Sequence, residues 1–67
     1  RRMATMVGTT RRALLETAAA GFLEARLPEN IIVRVQGDAS LIGQYAFVTI
    51  TEAKSWILMG TIDKIEN

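Results

Sequence analysis

Apolar positions alternate with period two through the second half of the chain. In residues 31–35, Ile31, Val33 and Val35 share one parity, and β-branched residues dominate. Pro28-Glu29-Asn30 before this run and Gln36-Gly37-Asp38 after it are turn chemistry. Residues 44–52 alternate again. Ala46, Val48 and Ile50 fall on one face, and Tyr45, Phe47, Thr49 and Thr51 on the other. Between these runs, Ser40-Leu41-Ile42-Gly43 predicts a short turn that tucks Leu41 and Ile42 under the sheet. Ala53-Lys54-Ser55 predicts a loop, and residues 56–65 a last strand. There Trp56, Leu58, Gly60 and Ile62 share one parity and Ile57, Met59 and Thr61 the other; Leu58, Gly60 and Ile62 are expected to face in, and Ile57 and Met59 out.

The first half supports two readings. Leu14, Leu15, Ala18, Ala19, Phe22 and Leu23 recur at helical spacing over residues 11–26, with Thr9 or Thr10 as a cap. Gly21 opposes a helix, at a cost of about 1 kcal/mol. The other reading is a hairpin: a strand over 7–16, a loop over 17–21 and a strand over 22–27. Local propensity favours the helix, which would give an α+β fragment.

Composition narrows the chemistry. Sixty-seven residues make one domain with a thin core. The chain has no cysteine and no histidine, so it offers no thiolate for a cluster or zinc and no imidazole base. Its serines and threonines therefore lack the usual activating partner, and its carboxylates are scattered. No glycine group has a phosphate-loop or dinucleotide spacing. The longest uncharged run is too short to span a bilayer as a helix, and Arg1-Arg2 is followed by no continuous apolar stretch of a secretory signal. The first residue is not methionine, which suggests a piece of a longer or processed protein.

The net charge of +1 speaks against a generic nucleic-acid binder, yet it hides an asymmetry. Residues 1–34 carry six arginines against three glutamates; residues 35–67 carry two lysines against four carboxylates. If the arginines share a face, a positive patch exists that the total conceals.

Residues 25–62 resolve the ambiguity by resemblance. Ala25-Arg26-Leu27-Pro28-Glu29-Asn30, followed by the β-branched run to Gly37, resembles the middle of a TRAM domain. Leu41-Ile42-Gly43, Val48-Thr49-Ile50-Thr51-Glu52-Ala53 and Leu58-Met59-Gly60 resemble its later motifs in order, with no gap from Gly37 to Ile62. The match is most like the C-terminal TRAM domain of tRNA methylthiotransferases, which also begin Val-Gly-Thr, as Val7-Gly8-Thr9 does here. The resemblance implies an all-β fold, a small five-stranded antiparallel β-barrel related in shape to oligonucleotide-binding (OB) barrels. Residues 1–6 would be a linker or tail, residues 7–65 the barrel, and residues 11–16 and 22–27 the first two strands.

The resemblance also implies a non-catalytic, cytoplasmic, tRNA-binding accessory domain. It would present an anticodon-arm adenosine to a catalytic domain elsewhere in the parent chain. In methylthiotransferases that domain is a radical enzyme using 4Fe-4S clusters and S-adenosylmethionine; this fragment would hold no cofactor. Arg26 and Asn30 match the family pattern. Arg26 suits phosphate contact or stacking, and Asn30 suits hydrogen bonding to RNA or a left-handed turn. Arg11, Arg12, Arg34 and Lys54 are further phosphate candidates, although adjacent Arg11 and Arg12 face opposite ways on a regular strand. The glycines Gly8, Gly37, Gly43 and Gly60 read as structural.

Departures from the family suggest a second surface. Phe47, Ile57 and Met59 stand where related domains usually carry polar or charged residues, and an arginine is common at the last position. With Tyr45 they predict an exposed apolar patch that packs on the parent enzyme or on a second copy of the chain. The alternative function is thus a protein–protein interaction or structural β-barrel module with little RNA affinity.

Overall fold

The computed structural model describes residues 3–66. Five strands close on themselves: β1 (Thr10–Ala19), β2 (Phe22–Arg26), β3 (Ile32–Val35), β4 (Tyr45–Ala53) and β5 (Leu58–Ile65). Their order around the barrel is β1-β2-β3-β5-β4, and β4 returns to β1. Four of the pairings are antiparallel. The fifth, β3 with β5, is parallel and makes the seam, with Val33 opposite Leu58 and Val35 opposite Gly60. Closure gives each of the five strands a hydrogen-bonded neighbour on both sides.

The hairpin wins over the helix in the first half, and it is longer than the sequence suggests. Ala18 and Ala19 pair with Leu23 and Phe22, so the turn shrinks to Ala20-Gly21, with Gly21 at φ 86°. Alanine prefers a helix in isolation, but the β4 ladder holds residues 10–14 of the same strand and the β2 ladder holds Ala18 and Ala19, which outweighs a preference of tenths of a kcal/mol per residue. Glu16 is the extra residue of a bulge between Leu15 and Thr17.

The core follows the predicted alternation. Ala13 and Leu15 of β1, Leu23 and Ala25 of β2, Val33 and Val35 of β3, and Ala46, Val48 and Ile50 of β4 are buried, with Leu27 and Leu58 beside them. Glycine at position 60 is required by a close approach. A Cβ there would lie 2.4 Å from the Thr49 carbonyl oxygen and 3.1 Å from Val33 Cγ1.

Two apolar residues depart from expectation. Trp56 lies before β5 rather than in it and is 91% exposed. Ile42 points outward after a 3₁₀ turn (Ala39–Leu41) capped by Asp38, whose carboxylate accepts from the Ser40 N–H at 3.0 Å, while Leu41 packs against the core. At the other end of the chain, Met3–Met6 forms a 3₁₀ turn and Met6 packs on the core, where a tail is expected over residues 1–6. Residues 1 and 2 lie outside the described part. No helix among the described residues is long and apolar enough to cross a membrane.

Candidate nucleic-acid interface

The register places one outward row across four strands. Ile32 lies opposite Arg26, Arg26 opposite Leu14, and Leu14 opposite Tyr45. Over this row opens a groove of about 380 Å³, lined by Arg12, Leu14, Arg26, Pro28, Asn30 and Tyr45 among others. Side chains on a barrel wall alternate in and out, so the buried Ala13 and Leu15 fix Leu14 and Arg12 outward.

Arg26 is the organising residue of the groove. Its Nε donates to both Glu16 carboxylate oxygens, at 2.9 and 3.0 Å, and its Nη1 donates to Asn30 Oδ1 at 2.7 Å. The bulge at Glu16 brings that carboxylate to Arg26. Asn30 serves the fold as well as the groove. Its backbone sits at φ 72°, in the left-handed region that asparagine tolerates, and its N–H donates to the Leu27 carbonyl at 2.8 Å. Both readings of Asn30, turn former and polar contact, are therefore compatible with its position.

Arg12 forms the other wall. Its guanidinium carbon stands 3.9 Å from the centre of the Tyr45 ring, a cation–π stack. Its Nε donates to the Glu66 carboxylate at 2.9 Å. Hydrogen bonding between the two pushes the Arg12 pKa up and holds Glu66 below the usual carboxylate range. Tyr45, read from sequence as part of a protein-facing patch, thus sits among the arginines.

The remaining candidates lie elsewhere. Arg11 turns away from Arg12 and pairs with Glu29 in the β2–β3 turn; hydrogen bonding from Arg11, then from backbone, lowers the Glu29 pKa. Arg34, on β3, lies 3.6 Å from Glu24 and stacks on Phe22, 4.6 Å from the ring centre. Lys54 pairs with Glu52 at 3.5 Å in the exposed β4–β5 loop. Every described arginine therefore has a glutamate partner, so the positive charge of Arg11, Arg12, Arg26 and Arg34 is locally neutralised. Spacing along the chain gave no sign of these partners, because Glu66 reaches Arg12 only through the β1–β4–β5 ladders.

The expected apolar patch is split. In the β4–β5 ladder Phe47 lies opposite Lys64, and Met59 lies opposite Glu52. Five residues of β4 separate these positions, roughly 17 Å along the strand. Met59 neighbours Arg34, Phe47 neighbours Arg12, and Phe47, Ile57 and Met59 are each half-buried. Antiparallel pairing pulls apart residues that look adjacent when only parity is considered.

No group of three or more metal-ligating side chains occurs among the described residues. With no cysteine or histidine in the chain, the residues present do not suit an iron–sulfur cluster.

A closed five-stranded barrel carrying an arginine- and aromatic-lined groove on its outer wall is the architecture of small oligonucleotide-binding modules. The TRAM domain profile matches residues 4–62, and the chain belongs to the TRAM domain family. Two similar proteins are tRNA-2-methylthio-N(6)-dimethylallyladenosine synthases. The one from Methylobacillus flagellatus is 42% identical over 62 residues, covering 88% of this chain and 14% of that protein. The one from Francisella tularensis subsp. novicida is 40% identical over 60 residues, covering 85% and 14%. The chain thus spans about one-seventh of the length of these relatives.

Proposed function

We propose that this domain binds tRNA as the accessory module of a methylthiotransferase, holding an anticodon-arm adenosine for a catalytic domain outside this chain. The observation that carries the reading is the groove in which Arg12 and Arg26 face Asn30 and Tyr45. Guanidinium groups supply donors for phosphate, the Arg12–Tyr45 stack supplies a planar surface, and the unused Asn30 amide supplies a donor. Family membership and the names of the relatives agree with it. Iron–sulfur clusters and S-adenosylmethionine would belong to the parent enzyme, which would work in the cytoplasm.

Titration with tRNA across a salt series tests the proposal. Affinity falls as salt rises, and Arg26→Ala both weakens binding and reduces the log–log slope by about one. Absence of binding at low salt would overturn the proposal for this chain.

A second reading has one observation in its favour. Because each described arginine is paired with a glutamate, the wall carries little net field, as suits a module that contacts protein rather than nucleic acid. Saltproof association with the catalytic part of a methylthiotransferase, with no tRNA affinity, would favour it.

A further inference from the structure

We infer that Trp56 is a stacking platform for an unpaired nucleobase of the bound RNA, a contact separate from the groove. The inference rests on the RNA reading above. Four observations carry it.

Trp56 is 91% exposed, so the largest apolar side chain in the protein contributes nothing to its core. Its backbone position is set by a hairpin. The Lys54 N–H donates to the Ile57 carbonyl at 2.9 Å, and Ala53 pairs with Leu58, so Ser55 and Trp56 form the tip of a tight hairpin turn.

The tip emerges beside the groove's own turn. β3 and β5 are parallel neighbours, so the segments leading into them enter from one end of the barrel. Asn30 and Ile31 lead into β3, and Trp56 and Ile57 lead into β5. An RNA strand held by Arg26 and Asn30 therefore passes the end at which Trp56 projects.

The ring's surroundings select the occupant. Lys54 and Ser55, beside it on the tip, are exposed and polar, and Ile57 is half-buried. A protein-docking surface needs a contiguous apolar area, which an isolated ring on a polar tip does not provide. One planar base, with its phosphate toward Lys54 in place of that lysine's exposed Glu52 partner, needs only one ring face and one cation.

Trp56 is the single tryptophan of the chain, so its fluorescence reports directly on this contact. The test titrates the intact chain with tRNA, poly(A), a blunt RNA duplex and inorganic polyphosphate, and follows binding separately by anisotropy of labelled tRNA. Quenching by tRNA and poly(A), and none by duplex or polyphosphate, is expected. Trp56→Ala should weaken tRNA binding roughly tenfold with an unchanged salt slope, and Trp56→Phe should keep most of the affinity. Circular dichroism of both variants should match the parent chain, since the side chain is outside the core. Normal tRNA binding with no quenching and an unaffected Trp56→Ala overturns the inference and leaves the RNA reading standing. Equal quenching by duplex, or emission that shifts with the chain's own concentration, overturns it by assigning the ring to another occupant. Loss of all tRNA and poly(A) binding at low salt removes the RNA reading itself, and this inference with it.

Discussion

Arg26 and Asn30 face each other across the β2–β3 turn, and the arginine Nη1 donates to the asparagine Oδ1 at 2.7 Å while the asparagine backbone stands at φ 72°. One side chain therefore does two separable things: it accepts a left-handed turn and it aims a guanidinium into the groove.

Substitution at this position should divide the two roles. Asn30→Ala loses both and destabilises the barrel by about 1–2 kcal/mol through the left-handed backbone. In a domain of this size each kcal/mol lowers Tm by about 4–8 °C. Asn30→Gly keeps the backbone and should cost less than Asn30→Ala. tRNA affinity should fall equally in both, because each removes the acceptor that orients Arg26. Paired thermal melts and tRNA titrations check this.

The Glu16 carboxylate occupies the Arg26 guanidinium, and on the proposed reading it would compete with phosphate for it. Replacing it by Gln removes the competing charge while keeping an acceptor. An exposed ion pair is worth about 0.2–1 kcal/mol, so Glu16→Gln should tighten tRNA binding by up to about fivefold, opposite in sign to Arg26→Ala. Anisotropy titrations at one fixed salt concentration read both.

Gly60 separates two kinds of glycine. Gly60→Ala would drive a Cβ to 2.4 Å from backbone that cannot yield without opening the β4–β5 ladder. A loss of about 1–3 kcal/mol or more is expected in urea denaturation. Gly37→Ala meets a side-chain methyl, Leu23 Cδ1, at 2.9 Å rather than backbone, and should be the milder change.

Acid should loosen the barrel through Glu66 and Glu29, whose folded-state pKa values are lowered by hydrogen bonds from Arg12 and Arg11. A depressed folded pKa contributes stability that is complete above the unfolded value and disappears as pH falls through the folded one. Melting temperature should thus hold steady above about pH 5 and drop below the ordinary glutamate pKa of about 4.3. In Arg12→Gln the Glu66 carboxyl should titrate nearer the ordinary value, which carbon-detected NMR of that side chain would record.

The parity of Ala46, Val48 and Ile50 was enough to place β4 and its buried face, because a period of two leaves one assignment for a half-buried strand. The alanine-rich stretch of β1 was not legible in this way. Its pairing with Leu23 and Phe22 across a two-residue turn goes with β4, far away in sequence, holding the first half of β1, and only the likeness of residues 25–62 to a known family favoured that hairpin. The site divides similarly. Arg26 and Asn30 are four residues apart and their pairing follows from one turn. The Arg12–Tyr45–Glu66 cluster needs three strands in register, and bulges at Glu16, Thr51 and Asp63 shift that register in ways alternation cannot reveal. Trp56 misled because its parity continues that of Leu58, although the strand begins two residues later.

The pairing of each described arginine with a glutamate carries a kinetic consequence. A wall whose charges cancel within a few ångströms exerts almost no pull on a polyanion beyond the Debye length of about 8 Å. Capture of RNA should then proceed at the unsteered rate of about 10⁵–10⁶ M⁻¹s⁻¹, nearly indifferent to ionic strength, with salt acting on the lifetime of the complex. Such a barrel recruits poorly from a distance and serves best where a tethered neighbour delivers the RNA to it.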